Sequence, residues 1–309
     1  MKKKLFKTKK LHSFALPGII LVFSLCLGFL VNGCVSGKNK SNFQGVQIGT
    51  ITYSYRSMPD QSLPAILDYA VKSGIGSVEL MGTPLEAYAG IPEDREEIKE
   101  WRKTVSMDKF KNIRKMFNDK GVNIHIVKMR CRRWTDEEID YAFNVCRALG
   151  AMGITMEISE EAAERLAPFA EKHNLYVIFH NHGQPGTPGF NFEKFLAYSP
   201  KMMLNFDVGH FYGATGTHPN VILEKLHERI ASIHIKDKTG PDAAEPDTNR
   251  PFGQGDTPVT EILNLIKEKQ WPIVCDIELE YPVSEDSNAI TEVAKCVEYC
   301  RNVLENDTE

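Results

Sequence analysis

The side chains equipped for chemistry share one placement, because each closes a short apolar run. Glu157 ends Ile154-Thr155-Met156-Glu157, His180 and His182 end Ile178-Phe179-His180-Asn181-His182, and Asp207 ends Leu204-Asn205-Phe206-Asp207. His234 closes Ser232-Ile233-His234, and Glu278 closes Cys275-Asp276-Ile277-Glu278. If the runs are neighbouring strands of a closed sheet, these groups meet around one point. Burying several carboxylates together without compensation costs on the order of several kcal/mol each, and a divalent cation offsets that repulsion directly. Three carboxylates and one imidazole suit a fairly hard ion such as Mn²⁺ or Mg²⁺, with Co²⁺ or Zn²⁺ as further candidates. Such an ion stabilises the ene-diolate formed when a carboxylate removes the proton next to a carbonyl.

The elements that must position these groups alternate strictly. Strands are expected at Val46–Ile51, Ser77–Met81, Asn123–Lys128, Ile154–Ile158, Tyr176–His180, Met203–Asp207, Ala231–Ile235 and Ile273–Leu279. Helical stripes fall between them. Leu63, Ile66, Leu67, Ala70 and Val71 follow the three-and-four spacing behind Pro64, and Thr135 with Glu138 forms a capping box before Ile139, Ala142, Phe143, Cys146 and Leu149. Eight βα units predict a single-domain α/β fold, a (βα)8 TIM barrel over residues 46–309. An open doubly wound sheet lacks support, since no Gly-x-Gly-x-x-Gly follows the first strand. Two long connections, Gly82–Ser106 and Lys236–Pro258, leave the C-terminal rim as candidate lids, the first with a short helix expected around Ile98–Trp101.

Three motifs on these strands carry a family resemblance. Asp207-Val208-Gly209-His210, His234-Ile235-Lys236-Asp237 and Ile277-Glu278-Leu279-Glu280 resemble the signatures of the xylose-isomerase-like TIM barrels, a group of sugar phosphate isomerases and epimerases, and the similarity runs from about Gln47 to Leu304. The resemblance implies a metal held by Glu157, Asp207, His234 and Glu278, with the two glutamates doubling as acid/base groups and His210 binding substrate. Glu280 is the reserve for Glu278, because Asp276, Glu278 and Glu280 alternate onto one strand face. His180-Asn181-His182 departs from the Glu-Asn-His of many relatives and looks more like the myo-inosose dehydratases, which makes both histidines candidate catalytic groups. Glu79, His125, Lys128, Arg130 and Lys236 are candidates for contacting substrate hydroxyls or polarising a carbonyl.

The N-terminus sets the expected compartment. Six lysines precede the apolar run Phe14 to Val31, which stops at Val31-Asn32-Gly33-Cys34 and resembles a bacterial lipoprotein signal peptide. Residues 1–33 are then the signal, and residues 34–45 are the lipidated Cys34 and a polar tether. The expected location is periplasmic, with the lipid as the sole membrane contact. Removing residues 1–33 takes the net charge from -4 to -10, which disfavours nucleic acid as a partner.

A chain outside the cytoplasm and without a phosphate loop is expected to act on a small non-phosphorylated sugar. Isomerisation or epimerisation leads on the breadth of the resemblance. β-Elimination from a keto-sugar such as a 3-keto-glycoside is the alternative, and a non-catalytic sugar-binding lipoprotein is the reading of another class. Cys34→Ser is expected to abolish lipid labelling of the chain. Membrane retention of that variant with an intact N-terminus would instead indicate an uncleaved anchor.

Overall fold

The computed structural model describes residues 40–306, so the signal segment, Cys34 and the start of the tether lie outside the described residues. The apolar runs form eight parallel strands: β1 (Val46–Ile51), β2 (Ser77–Met81), β3 (Asn123–Lys128), β4 (Gly153–Glu157), β5 (Tyr176–His180), β6 (Met202–Asp207), β7 (Ile230–Ile235) and β8 (Val274–Ile277). Each pairs with the next in the chain, and β8 closes on β1 through Cys275↔Ile48, Asp276↔Gly49 and Ile277↔Thr50. The result is the expected single-domain TIM barrel. Its strands are largely buried because helices cover the outer face and the barrel interior encloses the inner one.

The period of two along each strand layers the interior. Ile126, Ile178 and Ala231 form a small apolar cluster with Met152, Tyr176 and Met203, separate from the large core between sheet and helices. Two residues further along the same faces, polar groups begin. On β5 the order is Tyr176, Ile178, His180; on β6 it is Met203, Asn205, Asp207.

β8 is shorter than the expected Ile273–Leu279. Glu278 still donates its N–H to the Ile235 carbonyl at 3.1 Å, but the Leu279 N–H is taken by Ser54 Oγ at 3.0 Å, which turns the chain out of the ladder. The tether also ends earlier than expected. Asn42–Phe43 pairs antiparallel with the start of β1, and Ser41 Oγ donates to the Ile48 carbonyl at 2.6 Å while accepting from the Gly76 N–H at 2.9 Å.

Helices start where side chains can satisfy their first N–H groups. Thr135 and Glu138 make the capping box of Asp136–Leu149, and Ser159 and Asn288 cap Glu160–His173 and Ala289–Glu305. The connection after β2 holds more helix than expected, Gly82–Ala89 and Arg95–Thr104. Asp94 starts the second by accepting the Glu96 and Glu97 N–H groups. One arginine then fastens it: Arg102 donates to Glu86 at 2.9 and 3.1 Å and to Glu138 at 2.9 Å, with its guanidinium 3.5 Å from the Trp134 ring centroid.

The connection after β7 carries its own two-residue ladder, Asp237–Lys238 with Asn249–Arg250. Cys131, Cys146, Cys275, Cys296 and Cys300 are buried free thiols. No helix among the described residues is long and apolar enough to cross a membrane.

Arg102 is 11% exposed, and its removal strands two buried carboxylates. Arg102→Ala is expected to lower stability in urea unfolding by about 3 kcal/mol, against less than about 1 kcal/mol for Arg301→Ala at an exposed pair. Equal small losses would show that the clamp does not hold the β2 connection.

Candidate metal centre

Strand register brings the rim groups to one level. Glu157 is the partner of His180 across β4 and β5, and Asp207 is the partner of His234 across β6 and β7. One donor atom from each of His180, Asp207, His234 and Glu278 lies within 4.8 Å of the others. His234 Nδ1 is 2.9 Å from Glu278 Oε2 and 3.8 Å from Asp207 Oδ2, while His180 Nε2 is 3.3 Å from Asp207 Oδ2 and 3.9 Å from Glu278 Oε2. All four residues are buried. Two imidazole nitrogens and two carboxylate oxygens converging from four strands fit a divalent ion.

Glu157 stands in the neighbouring group. Its Oε2 lies 3.4 Å from His180 Nδ1 and 2.8 Å from His182 Nδ1, and its Oε1 lies 3.1 Å from Lys128 Nζ. His180 therefore joins the two groups, one ring nitrogen facing Asp207 and the other Glu157. Among the ligands implied by resemblance, Asp207, His234 and Glu278 meet in one cluster. The fourth member of that cluster is His180, with Glu157 beyond it.

The centre rests on a buried polar layer. His234 Nε2 is 2.7 Å from Glu79 Oε2, Asn205 donates its amide to the same oxygen at 2.8 Å, and the Thr155 hydroxyl bonds the other Glu79 oxygen. The Nε2 contact with Glu79 fixes the ring so that Nδ1 faces the cluster, the way a carboxylate orients a metal-binding histidine. Next to it His125 bridges Ser77 Oγ at 3.0 Å and Asp276 Oδ2 at 2.9 Å. Glu79 and His125 were expected to touch substrate, and the structure corrects this. Both lie inside the barrel beneath the rim, with Glu79 fully buried, so they position the centre instead.

Electrostatics follow from this packing. Burial pushes the Glu79 carboxyl up, but His234 and Lys128 outweigh it and leave the group at about 2. Burial pushes His234 down, and the Glu278 and Glu79 charges outweigh that, raising it to about 10. Lys236 Nζ sits 2.9 Å from Asp207, 2.5 Å from Glu278 and 2.7 Å from Glu280. Against the burial that would neutralise them, Lys236 and the histidines hold Asp207 and Glu278 well below the usual carboxylate range. Glu280, likewise opposed by burial, is kept at about 2 by His210 and Lys236. It reaches Lys236 and His210, at 3.6 Å from His210 Nε2, and stands outside the four-donor cluster.

Asp207 serves twice. Its Oδ2 faces the cluster, and its Oδ1 accepts the His210 N–H at 2.8 Å to cap the helix Val208–Thr215. A Cβ at Gly209 would lie 2.3 Å from Lys236 Cγ, so glycine lets that helix press against the lysine. His210 projects from it toward His182, the ring centroids 4.8 Å apart.

Several members escaped the sequence reading, among them Asn205, Thr155, Asp276 and the anchoring role of Asp237. Asp237 accepts the Gly253, Gly255 and Thr257 N–H groups at 2.8, 2.9 and 3.2 Å, and thereby holds the glycine-rich loop. A Cβ at Gly255 would sit 2.3 Å from Asp237 Oδ1. A usable signal existed for three of them. Thr155, Asn205 and Asp276 each precede a rim residue by two, on the same strand face.

Residues 67–301 match the family model described as xylose isomerase-like TIM barrel. The chain belongs to the xylose isomerase-like TIM barrel family. Solved structures share the fold. A sugar phosphate isomerase/epimerase from Parabacteroides distasonis ATCC 8503 is 19% identical, covering 87% of this chain and 97% of that one at a TM-score of 0.58. The probable 3-DHS dehydratase of petrobactin synthesis from Bacillus anthracis is 16% identical, covering 85% and 100% at 0.59. The IolI protein, whose structure holds a zinc atom, is 17% identical, covering 84% and 99% at 0.58. No curated protein matches the chain.

One divalent ion per chain is expected by titration and elemental analysis. Asp207→Asn combined with His234→Ala should reduce occupancy to under about a tenth, and His180→Ala should weaken it more than Glu157→Gln. Because His234 Nδ1 must be free of its proton to coordinate, uptake should strengthen as pH rises. Full occupancy in the double variant would remove the centre as described.

Proposed function

We propose that the chain is a divalent-metal-dependent sugar isomerase or epimerase that acts by removing the proton next to a carbonyl. The observation that carries this reading is the four-donor cluster at the C-terminal rim, where barrels of this kind place their active sites, flanked by a carboxylate with room to reach substrate. When bound, the ion polarises the carbonyl and stabilises the negative charge that develops on its oxygen. The donor set of His180, Asp207, His234 and Glu278 favours Mn²⁺, Co²⁺ or Zn²⁺ over Mg²⁺, since imidazole suits the softer ions.

Glu157 is the base in this reading. Glu278 is locked between His234 and Lys236, whereas the Glu157 side chain is 37% exposed and the paired His182 side chain 46% exposed. Glu157 takes the proton, and His182 at 2.8 Å relays it to the product or to water. Lys236 offsets three carboxylates so that they stay ionised together. His210, between Glu280 and His182, offers a nitrogen to a substrate hydroxyl. The proposed setting is periplasmic, with the chain anchored through lipid on Cys34.

The exposed imidazole beside the base supports a second reading. Elimination from a keto-sugar, such as a 3-keto-glycoside, uses the same proton abstraction and adds a group that protonates the departing oxygen. His182 occupies the place for such an acid, and the family's structural neighbours include both an isomerase/epimerase and a dehydratase.

Incubation of keto-sugars and glycosides with the chain and Mn²⁺ in deuterated water tests both readings. Isomerase or epimerase activity predicts deuterium at the carbon next to the carbonyl, reduced at least about 100-fold in Glu157→Gln. If elimination is the reaction, His182→Asn should slow release of an alkoxide leaving group while exchange continues, and the difference should shrink for a phenol. Sugar binding with no exchange from any substrate would point to a non-catalytic sugar-binding protein.

A further inference from the structure

A cavity of about 320 Å³ opens beside the candidate base. Its lining is Lys128, Arg130, Arg132, Arg133, Met156 and Glu157, drawn from the end of β3, the turn after it and the end of β4. Four cations therefore gather on one wall of a chain whose formal net charge is -4. Only part of that charge is answered locally. Glu157 pairs with Lys128 at 3.1 Å, and Glu161 is shared by Arg132 and Arg133 at 3.4 and 3.3 Å. Among the described residues Arg130 has no carboxylate within 4.0 Å. Lys128 is 9% exposed, so its ammonium is fixed in the cavity wall.

The turn that presents the arginines is itself secured. Cys131 is buried at its centre, and Trp134 at its end lies under the clamped Arg102. Guanidinium groups on a fixed turn favour a planar or tetrahedral anion, which they can grip with paired N–H donors. Glu157 belongs both to this wall and to the histidine group at the centre. A substrate whose reacting carbon faces Glu157 therefore has this cavity directly beside it.

We propose that the cavity is an acid-binding subsite, and that the sugar handled at the centre carries an anionic substituent held by Arg130 and Arg132. This deepens the enzymatic reading and rests on it for the anion to be part of the substrate. The binding of the anion itself is measurable apart from turnover. The shared chemistry is a carboxylate or a phosphate ester; a carboxylate agrees with the expected non-phosphorylated sugar, whereas a phosphate ester replaces that expectation.

Calorimetric titration of the chain with D-glucuronate, glucose 6-phosphate and glucose tests the subsite, with exchange in deuterated water on neutral and acidic ketoses run in parallel. At least one of the two anions is expected to bind about ten times more tightly than glucose. Whichever anion shows the gain identifies the group. Arg130→Gln with Arg132→Gln should erase the preference, and Arg130→Lys with Arg132→Lys should restore part of it.

Equal binding of all three probes, or a preference that survives the glutamine variant, would overturn the subsite. Exchange on neutral ketoses with no arginine-dependent preference removes the subsite and leaves the enzymatic reading intact. Arginine-dependent anion binding with no exchange from any ketose keeps the acid-binding cavity, but overturns the claim that its anion belongs to a reacting substrate, together with the enzymatic reading.

Discussion

Buried like charge is the constraint on which this barrel depends. Glu79, Asp207, Asp276 and Glu278 are all 5% exposed or less, and in that setting each ionised carboxylate needs a cation or several donors. Lys236 bridges two of them and Glu280, His234 stands between Glu278 and Glu79, and His125 answers Asp276. Removing Lys236 or His234 would leave buried carboxylates uncompensated in a low-dielectric interior. The same density of donors suits a divalent ion, so structural need and metal affinity arise from one arrangement.

The barrel makes that arrangement possible through register. In a parallel sheet the residues paired across neighbouring strands stand at one height, and alternate residues share a face. An apolar cluster of Ile126, Ile178 and Ala231 therefore gives way to Thr155, Asn205 and Glu79, and then to the rim of Glu157, His180 and Asp207. The middle layer bonds upward to His234 through Glu79. Rigidity at the centre thus comes from hydrogen bonds deep in the barrel as much as from the donors themselves.

Glu157 stands apart from the locked carboxylates. It touches His180, His182 and Lys128 and keeps access to solvent, which links the four-donor cluster, the exposed histidine and the basic cavity. The connections around it are held from outside. Arg102 fastens the helices after β2 to the helix that follows β3, and Asp237 ties down the glycine-rich loop after β7. Both long connections are folded and bonded along parts of their length, so any closure over substrate falls to the segments between those anchors.

The strands, the capping box and the rim residues were legible in the sequence because each depends on local pattern. Apolar runs of period two, a Thr and a Glu three apart, and an ionisable residue closing a run carry their meaning within a few positions. The family motifs added the expectation of a metal at Asp207, His234 and Glu278, three residues that do meet in the structure. What tertiary structure decided was depth and partnership. Glu79 and His125 look like rim residues in the sequence, yet strand stagger sets them below it, under His234 and against Asp276. His180 rather than Glu157 completes the four-donor cluster, because a side chain's reach across a closed barrel depends on strand tilt and rotamer. The cation wall at Arg130–Arg133 reads as an ordinary basic turn until β3 and β4 set it beside Glu157. Sequence order fixes which residues arrive at the rim, whereas the distances between them are settled only when eight strands close.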